Sequence, residues 1–195
     1  MNQTIAGVDE VGRGSLIGPV YAAAVILNKN INKKIIKDSK KLTKKKREYL
    51  FRYIKKNSNW SLGSASIKEI EKLNIFNASL LAMTRAIKKL KKKPKLVIVD
   101  GNKSPILKNY KIKSLIKGDD KIPEIAAASI IAKVSRDRLI KKISKNFIGY
   151  AWEKNAGYGT KKHLIAIKKL GITKYHRKGF KPVHNMLSSN QKKTQ

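Results

Sequence analysis

Two short apolar segments of this chain end in carboxylates, and in each case a glycine follows within two residues. Residues 4–11 carry Asp9 and Glu10 near their end, and residues 95–100 end in Asp100. Apolar runs of this length, bounded by turn residues, are typical of strands that are buried in a sheet. Ligand sites of open α/β sheets commonly lie where neighbouring strands end. The sequence therefore predicts an acidic site at one edge of a sheet.

The rest of the 195-residue chain alternates between strand and helix patterns. Residues 18–27 follow the first strand after a glycine-containing turn, which predicts a hairpin. Further strands are expected over 59–66 and 112–117, and helices over 44–56, 67–92, 123–145 and 160–170. We expect the helix over 67–92 to consist of two pieces that meet around Asn74. This order of elements predicts an α/β fold with a helical C-terminal part.

The chain is strongly basic, with 46 lysine and arginine residues, 12 acidic residues and a formal net charge of +34. Such a charge attracts polyanions, so nucleic acid or an acidic membrane surface is the expected partner. Lysine far outnumbers arginine, which favours attraction to a phosphate backbone over the reading of bases. Lysine, isoleucine and asparagine are all abundant, so a biased genomic base composition is an alternative source of part of the excess.

The composition also excludes several classes of protein. The chain has no cysteine, which excludes disulfides, zinc fingers and thiol nucleophiles and agrees with a cytoplasmic location. No apolar run reaches the ~18 residues that a membrane span needs. The first residues show no basic segment ahead of an apolar one, so no signal peptide is expected.

Carboxylates that crowd together repel strongly in a partly dry site, unless a cation lies between them or a proton is shared. Asp119 lies just before the long helix and can complete a cluster with Asp9, Glu10 and Asp100. Oxygen ligands without nearby histidine or cysteine favour Mg²⁺ or Mn²⁺. Four carboxylates and a basic surface together indicate a two-metal hydrolase of phosphodiesters. A pair of carboxyl groups that share a proton in acid–base catalysis is the alternative interpretation.

Asp9 and Glu10 pose a geometric difficulty, because adjacent residues of a strand point to opposite faces of the sheet. Both side chains can face one metal only where the strand end twists or carries a bulge. Gly12 follows closely, and glycine is a common residue of bulges. The sequence therefore predicts an irregular end to the first strand.

Motifs spread over nearly the whole chain resemble those of ribonuclease HII, the type 2 ribonuclease H of bacteria and archaea. The motifs are Gly7-Val8-Asp9-Glu10-Val11-Gly12-Arg13-Gly14, Gly18-Pro19-Val20, Asp38-Ser39-Lys40-Lys41-Leu42, Asn74-Ile75, Val99-Asp100-Gly101, Lys117-Gly118-Asp119-Asp120-Lys121, Ala126-Ala127-Ala128-Ser129-Ile130, Ala132-Lys133-Val134, Arg136-Asp137, Gly157-Tyr158-Gly159-Thr160, His176-Arg177, Phe180 and Pro182-Val183. Val11 and Ser15 depart from the family pattern, which usually has alanine and proline at these positions. Neither departure removes a candidate ligand.

The resemblance implies a ribonuclease H-like fold, with a mixed five-stranded sheet flanked by helices and a C-terminal helical region. We expect a catalytic core over 1–145, a helical substrate-binding region over 146–184 that packs on the core, and a disordered polar tail over 185–195. The implied activity is that of an endonuclease. It cleaves the RNA strand of RNA–DNA hybrids and incises duplex DNA 5′ of single ribonucleotides, leaving 5′-phosphate and 3′-hydroxyl ends.

The resemblance also implies the residues that hold the metal. Its ligands would be Asp9, Glu10, Asp100 and Asp119, and these four would be the catalytic residues. Asp120 occupies a variable position of its motif and is the alternative to Asp119. Two divalent ions, Mg²⁺ or Mn²⁺, would take part in catalysis.

A second set of residues would recognise the nucleic acid. The family uses a Gly-Arg-Gly segment and a tyrosine to find the junction between RNA and DNA, which here are Gly12, Arg13, Gly14 and Tyr158. Backbone groups can detect a 2′-hydroxyl because it both donates and accepts hydrogen bonds. The tyrosine ring would stack on the deoxyribose that follows. Lys40 would contact a backbone phosphate.

The expected partners are RNA–DNA hybrids and duplex DNA that contains ribonucleotides, without a membrane, and the expected state is a monomer. His163 is expected on a helix surface, and His176 and His184 are expected to be structural. Two other functions compete with this interpretation. One is a basic, non-catalytic protein that binds nucleic acid, and the other is a general Mg²⁺ nuclease that also cuts pure DNA.

Overall fold

A mixed five-stranded sheet forms the centre of the structure, a computed structural model that describes residues 4–36 and 42–191, with side chains up to residue 188. Its strands are β1 (Ile5–Val11), β2 (Val20–Leu27), β3 (Ser58–Ala65), β4 (Leu96–Asp100) and β5 (Ile112–Leu115). They lie in the order β3-β2-β1-β4-β5. The β1–β2 and β2–β3 pairs are antiparallel, which confirms the predicted hairpin, and the β1–β4 and β4–β5 pairs are parallel.

Helices cover both faces of this sheet and form the C-terminal part, which confirms the predicted fold class. The helices are α1 (Lys44–Lys56), α2 (Ile67–Lys88), α3 (Gly118–Lys121), α4 (Pro123–Ser144), α5 (Trp152–Asn155), α6 (Lys161–Leu170) and α7 (Lys181–Gln191). Hydroxyl caps begin three of them: the Oγ1 of Thr43, the Oγ of Ser66 and the Oγ1 of Thr160 each accept a backbone N–H of the first turn. Among the described residues, no helix combines the length and apolar character that a membrane crossing requires.

Helix α2 is interrupted at Asn74, as the sequence predicts. The backbone of Asn74 is left-handed and non-helical, with φ 65° and ψ 167°. Its Oδ1 accepts the backbone N–H of Asn77 at 3.0 Å, which is the hydrogen bond of an N-cap. Asn74 therefore ends one helical piece and begins the next.

The alternation of side chains along β1 separates two cores. Ala6 and Val8 point to the face that α2 covers, where they pack with Ala82 and other small residues. Gly7 points to the opposite face, where α4 and α1 pack on Ala23 and neighbouring residues of β2. This alternation decides which side of the sheet each later residue of β1 reaches.

Glycines allow a helix backbone to approach the sheet on each face. A Cβ at Gly7 would lie 2.1 Å from the carbonyl carbon of Glu124 in the first turn of α4. A Cβ at Gly63 of β3 would lie 2.1 Å from the carbonyl oxygen of Ala82 in α2. Both distances are impossible for a real side chain, so each helix lies directly against a strand only because the strand residue is glycine.

A third core joins the C-terminal region to the end of α4. Ile140 of α4 packs with Leu16 and Ile17 from the β1–β2 connection and with Trp152 of α5. Helix α7 runs through Gln191 and thus through part of the segment that the sequence predicts to be a disordered tail. The boundaries at 145 and 184 stay predictions.

We predict that Gly7→Ala destabilises the fold by at least about 2 kcal/mol, because the new methyl group forces α4 away from β1. Gly179→Ala is the matched control, since a Cβ there has no atom within 4 Å, and it should change stability by less than about 0.5 kcal/mol. Urea unfolding measures both. Equal midpoints for the two variants would contradict the packing described for α4.

Candidate active site

Three carboxylates meet where β1 and β4 end. Asp9 lies on β1, Asp100 is the last residue of β4, and Asp119 lies in the short helix α3. One oxygen of each lies within 4.8 Å of the others. Asp9 and Asp119 are buried, and Asp100 is half-buried. The structure thus brings together three of the four acids that the sequence indicates.

Strand pairing explains why Asp9 and Asp100 are neighbours. The strands β1 and β4 are parallel, and their register pairs Val8 with Val99. Both valines face the α2 side, so the next residue of each strand, Asp9 and Asp100, faces the α4 side. Parallel strands end at the same edge, and the two carboxylates therefore lie side by side.

Asp119 joins them through a turn that Asp100 itself holds. Lys117 has a left-handed backbone with φ 55°, which redirects the chain into α3. The N–H of Gly118 then donates to Oδ1 of Asp100 at 2.7 Å. This hydrogen bond fixes the start of α3 against the end of β4. The buried side chain of Asp119 consequently points into the cluster.

The cluster is electrostatically unfavourable for its own carboxylates. Burial raises the pKa of Asp9 well above its usual range, and the charges of Glu10 and Asp100 raise it further. Hydrogen bonds from the Ser129 hydroxyl and the Glu10 N–H act in the opposite direction. The same two hydrogen bonds hold the Asp9 carboxylate in place.

The arrangement fits a hard divalent cation. Carboxylate oxygens within 4.8 Å of one another match the spacing of ligands around an ion with metal–oxygen distances of about 2.0–2.6 Å. A cation would also offset the repulsion among Asp9, Asp100 and Asp119. Asp120 is exposed and does not belong to this set among the described residues. The structure therefore favours Asp119 over Asp120 as the third carboxylate.

Glu10 lies on the other face of β1. It pairs with Ala22, which belongs to the α2-side core, whereas Asp9 pairs with Ala23 on the α4 side. The carboxylate of Glu10 forms an ion pair with Arg13 at 3.3 Å. Burial raises the pKa of Glu10, Arg13 lowers it, and the charge of Asp100 raises it. The charge of the cluster thus affects the pKa of Glu10, although Glu10 is not one of the three closely spaced carboxylates.

The expected bulge at the end of β1 does not occur within the strand. The pairing of β1 with β2 runs without a break from Gly7–Val25 to Val11–Tyr21. Gly12 comes directly afterwards with φ 93°, so the irregularity begins only where pairing stops. The bulge is therefore absent from the paired part of β1, because the glycine serves the turn after the strand.

The Gly-Arg-Gly turn and Tyr158 are neighbours in space. Ser15 and Tyr158 form an isolated antiparallel bridge, and Leu16 N–H donates to the Gly157 carbonyl at 2.9 Å. A Cβ at Gly14 would lie 3.9 Å from Cε1 of the Tyr158 ring. The turn therefore offers exposed backbone beside a half-buried aromatic ring. Lys40 lies outside the described residues.

Two fully buried arginines, for which the sequence predicts no role, hold the connection between β1 and β2 that contains this turn. Arg136 of α4 donates to the carbonyls of Ile17, Pro19 and Ala156 at 3.0–3.1 Å. Arg177 donates to further carbonyls of the same connection. Helical periodicity gives a signal for Arg136, because it continues a buried stripe of α4 between Ala132 and Ile140. No such pattern marks Arg177, which lies outside a helix.

The prediction for His163 was wrong, because His163 is fully buried. Its Nε2 accepts the Trp152 indole N–H at 2.8 Å and lies 3.3 Å from Nε2 of His176. Its Nδ1 lies 2.9 Å from the Tyr158 carbonyl, and the Thr173 N–H donates to Nδ1 of His176 at 2.8 Å. These partners assign the proton to Nδ1 of His163 and to Nε2 of His176. Two neutral histidines thus link Thr173 to the backbone of Tyr158.

Comparisons with known proteins show which family this chain resembles along most of its length. The family described as Ribonuclease HII matches residues 6–183. A curated relative named Ribonuclease HII, from Pelagibacter ubique (strain HTCC1062), is 70% identical over 183 residues, which cover 94% of this chain and 98% of the relative. The crystal structure of the ribonuclease H2 from Pyrococcus horikoshii OT3 is 25% identical, with a TM-score of 0.82 and coverage of 97% and 99% of the two chains. The RNase HII in a PCNA complex from Archaeoglobus fulgidus is also 25% identical, with a TM-score of 0.69 and coverage of 91% and 95%.

We predict that Asp9→Asn stabilises the protein in EDTA at neutral pH, because it removes one buried negative charge from the cluster. Added Mg²⁺ should raise the melting temperature of the wild type more than that of the variant, since binding stabilises only a folded protein with an intact site. Asp120→Asn is the matched control and should behave as the wild type in both media. Stabilisation by Mg²⁺ that is equal in all three proteins would contradict a metal site at these carboxylates.

The buried histidines predict a pH dependence of stability. Burial and the neighbouring His163 lower the pKa of His176 to about 4. Between pH 6.5 and 4 the unfolded chain therefore binds a proton that the folded protein does not, and folding stability falls as the pH falls. The loss from this one group is about 3 kcal/mol at most.

Urea unfolding at several pH values measures this dependence. His176→Gln should flatten the slope between pH 6.5 and 4.5, because the titrating group is removed. His184→Gln changes an exposed histidine and should keep the wild-type slope. A wild-type slope in His176→Gln would contradict the proposed neutral state of the pair.

Proposed function

This chain belongs to the ribonuclease HII family, and on that basis we propose that it incises duplex DNA on the 5′ side of single embedded ribonucleotides. Membership confirms the resemblance that the motifs indicated, and it makes the protein a type 2 ribonuclease H, an endonuclease that acts on RNA–DNA. One observation carries the finer proposal. The exposed turn that directly follows the strand of Asp9 lies against the ring of Tyr158. The carboxylate cluster thus adjoins backbone and aromatic groups that can contact a sugar.

The carboxylates of Asp9, Asp100 and Asp119 would hold the divalent cation. We propose Mg²⁺ or Mn²⁺ as the ion, and two ions during catalysis. When bound, such ions supply an activated water and positive charge at the scissile phosphate. The chain orients its ligands through the Ser129 hydroxyl and the backbone N–H groups of Glu10 and Gly118.

Glu10 is proposed as the fourth ligand. Its pKa responds to the charge of Asp100, which supports proximity to the cluster across the end of β1. Its ion pair with Arg13 links the acid to the Gly-Arg-Gly turn. Substrate that engages Arg13 would therefore also affect the position of Glu10.

Recognition of the sugar would use backbone and aromatic groups. Gly14 is exposed and leaves room beside the Tyr158 ring, since a Cβ at Gly14 would meet only that ring, at 3.9 Å. A ribose can approach the backbone here closely enough for its 2′-hydroxyl to form hydrogen bonds. The ring of Tyr158 would stack on the next sugar where the 2′-hydroxyl is missing. The high positive charge would attract the phosphate backbone without regard to sequence.

The test uses a DNA duplex with one embedded ribonucleotide, labelled at the 5′ end of the strand that contains it. We expect a nick 5′ of the ribonucleotide that requires Mg²⁺, disappears in EDTA and leaves a 3′-hydroxyl on the labelled product.

Asp9→Asn should lower the rate at least about 100-fold while binding persists, because a metal ligand is lost. Tyr158→Ala should lower the rate on this duplex about tenfold through lost stacking. Tyr49→Ala changes an exposed tyrosine of α1 and should leave the rate unchanged.

Three other outcomes would reject parts of the proposal. Cleavage of a long RNA–DNA hybrid without a nick at the single ribonucleotide would support the metal site. It would reject the proposed recognition of the RNA–DNA junction by the Gly-Arg-Gly turn and Tyr158. Cleavage of all-DNA duplex would favour the general nuclease. Binding without cleavage by folded protein, in Mg²⁺ and in Mn²⁺, would favour the non-catalytic binder. The monomeric state and the cytoplasmic location stay predictions.

A further inference from the structure

Arg177 is a buried cation that the proposed cleavage does not use. It is fully buried, and its guanidinium lies 5.0 Å from the centre of the Phe180 ring. Burial and the nearby Arg136 lower its pKa to about 9. A buried charge of this kind is costly unless its hydrogen bonds are specific. The hydrogen bonds of Arg177 therefore show which backbone segment it fixes in place.

Those contacts lie at both ends of the connection between β1 and β2. The Nη1 of Arg177 donates to the carbonyl of Arg13, and its Nε donates to the carbonyl of Gly18, each at 2.9 Å. The backbone N–H of Arg177 donates to the carbonyl of Leu16 at 2.8 Å. One side chain thus clamps residues 13 to 18 from inside the protein. Only a forked guanidinium spans two carbonyls in this way.

The hydrogen bond from Arg177 to the Arg13 carbonyl fixes the orientation of the peptide between Arg13 and Gly14. In a trans peptide unit the C=O and the following N–H point in opposite directions. The Arg13 carbonyl points inward to Arg177, so the N–H of Gly14, in the same peptide unit, points outward. Gly14 is exposed at this position. The peptide between Arg13 and Gly14 therefore presents a fixed donor to the surface that adjoins Tyr158.

We propose that Arg177 is a positioning residue for sugar recognition, which orients the Arg13–Gly14 peptide so that the Gly14 N–H donates to a 2′-hydroxyl. This inference rests on the proposed function. Arg136 has a different task, because it holds Ile17, Pro19 and Ala156 and so joins the turn to the Tyr158 segment. Arg177 alone of the two contacts the Gly-Arg-Gly turn through a hydrogen bond.

The experiment measures how well the protein distinguishes ribose from deoxyribose. Fluorescence anisotropy in EDTA gives the Kd for an all-DNA duplex and for the same duplex with one ribonucleotide, and their ratio is the discrimination. Arg177→Lys keeps the charge but replaces the two nitrogens that donate to the carbonyls of Arg13 and Gly18 by one, so the present pair of hydrogen bonds is lost. We expect the discrimination to fall about tenfold through one lost hydrogen bond. The affinity for all-DNA duplex should stay within about twofold, because backbone attraction depends on charge.

A control separates positioning from general loss of stability. Ile87→Ala removes a buried side chain near the C-terminal end of α2 and should be destabilising while it keeps the wild-type discrimination. The inference is overturned if folded Arg177→Lys discriminates as the wild type does, or if Ile87→Ala loses discrimination to the same extent. Failure of the proposed function looks different, since the wild type itself would then neither discriminate nor cleave.

A second measurement covers the case in which Arg177→Lys does not fold. Glycine labelled with ¹⁵N reports the amides of the wild type directly. The ribonucleotide-containing duplex should shift the Gly14 amide relative to the all-DNA duplex. The Gly18 amide donates internally to the Tyr175 carbonyl at 2.9 Å and should respond equally to both. A Gly14 amide that does not distinguish the two duplexes would overturn the inference.

Discussion

The direct packing of helix α4 on strand β1 at Gly7 is the contact on which the site depends. Backbone lies against backbone there, closer than any side chain would allow, so the helix cannot slide along the strand. About one turn further along α4, the Ser129 hydroxyl reaches Asp9. About two turns beyond that, Arg136 reaches the connection after β1. Helix α3, which carries Asp119, leads directly into α4. One helix–strand contact therefore aligns both parts of the proposed site.

The two groups of buried charge in this region differ in how they are neutralised. The arginines Arg136 and Arg177 donate to five backbone carbonyls between them, so five of their six guanidinium nitrogens are hydrogen-bonded to the chain itself. Nη2 of Arg177 is buried without a partner among the described residues. The carboxylates of Asp9, Asp100 and Asp119 are crowded together, and the charge of Asp100 raises the pKa of Asp9. A cation bound between the carboxylates would relieve that repulsion. The first arrangement stabilises a loop, and the second prepares a binding site.

Sequence reasoning found the parts of the site that follow from local pattern. Apolar runs that end in acids predicted Asp9 and Asp100 at one sheet edge, since strand periodicity and parallel pairing are properties of short segments. The same reasoning could not predict the burial of Arg177 or His163. Their partners are carbonyls and rings that only the tertiary fold brings near, and an isolated polar residue gives no sign of them. The regular end of β1 was missed for a related reason, because a glycine after a strand suits a turn as well as a bulge.

Helix α4 sets the distance between the carboxylate cluster and the proposed sugar-recognition site, because it carries Arg136 as well as Ser129. Ser129 and Arg136 lie seven residues apart on one continuous helix, which corresponds to about 10 Å along its axis. The separation between the acid cluster and the proposed sugar-recognition site is thus set by a continuous helix and not by the loops that carry the contacts. Exchanging surface loops with a relative would leave this spacing intact, whereas a chimera joined within α4 would rotate one function relative to the other by about 100° for each residue gained or lost. Helix α4 is therefore the segment that any transfer of substrate preference between such enzymes has to keep whole.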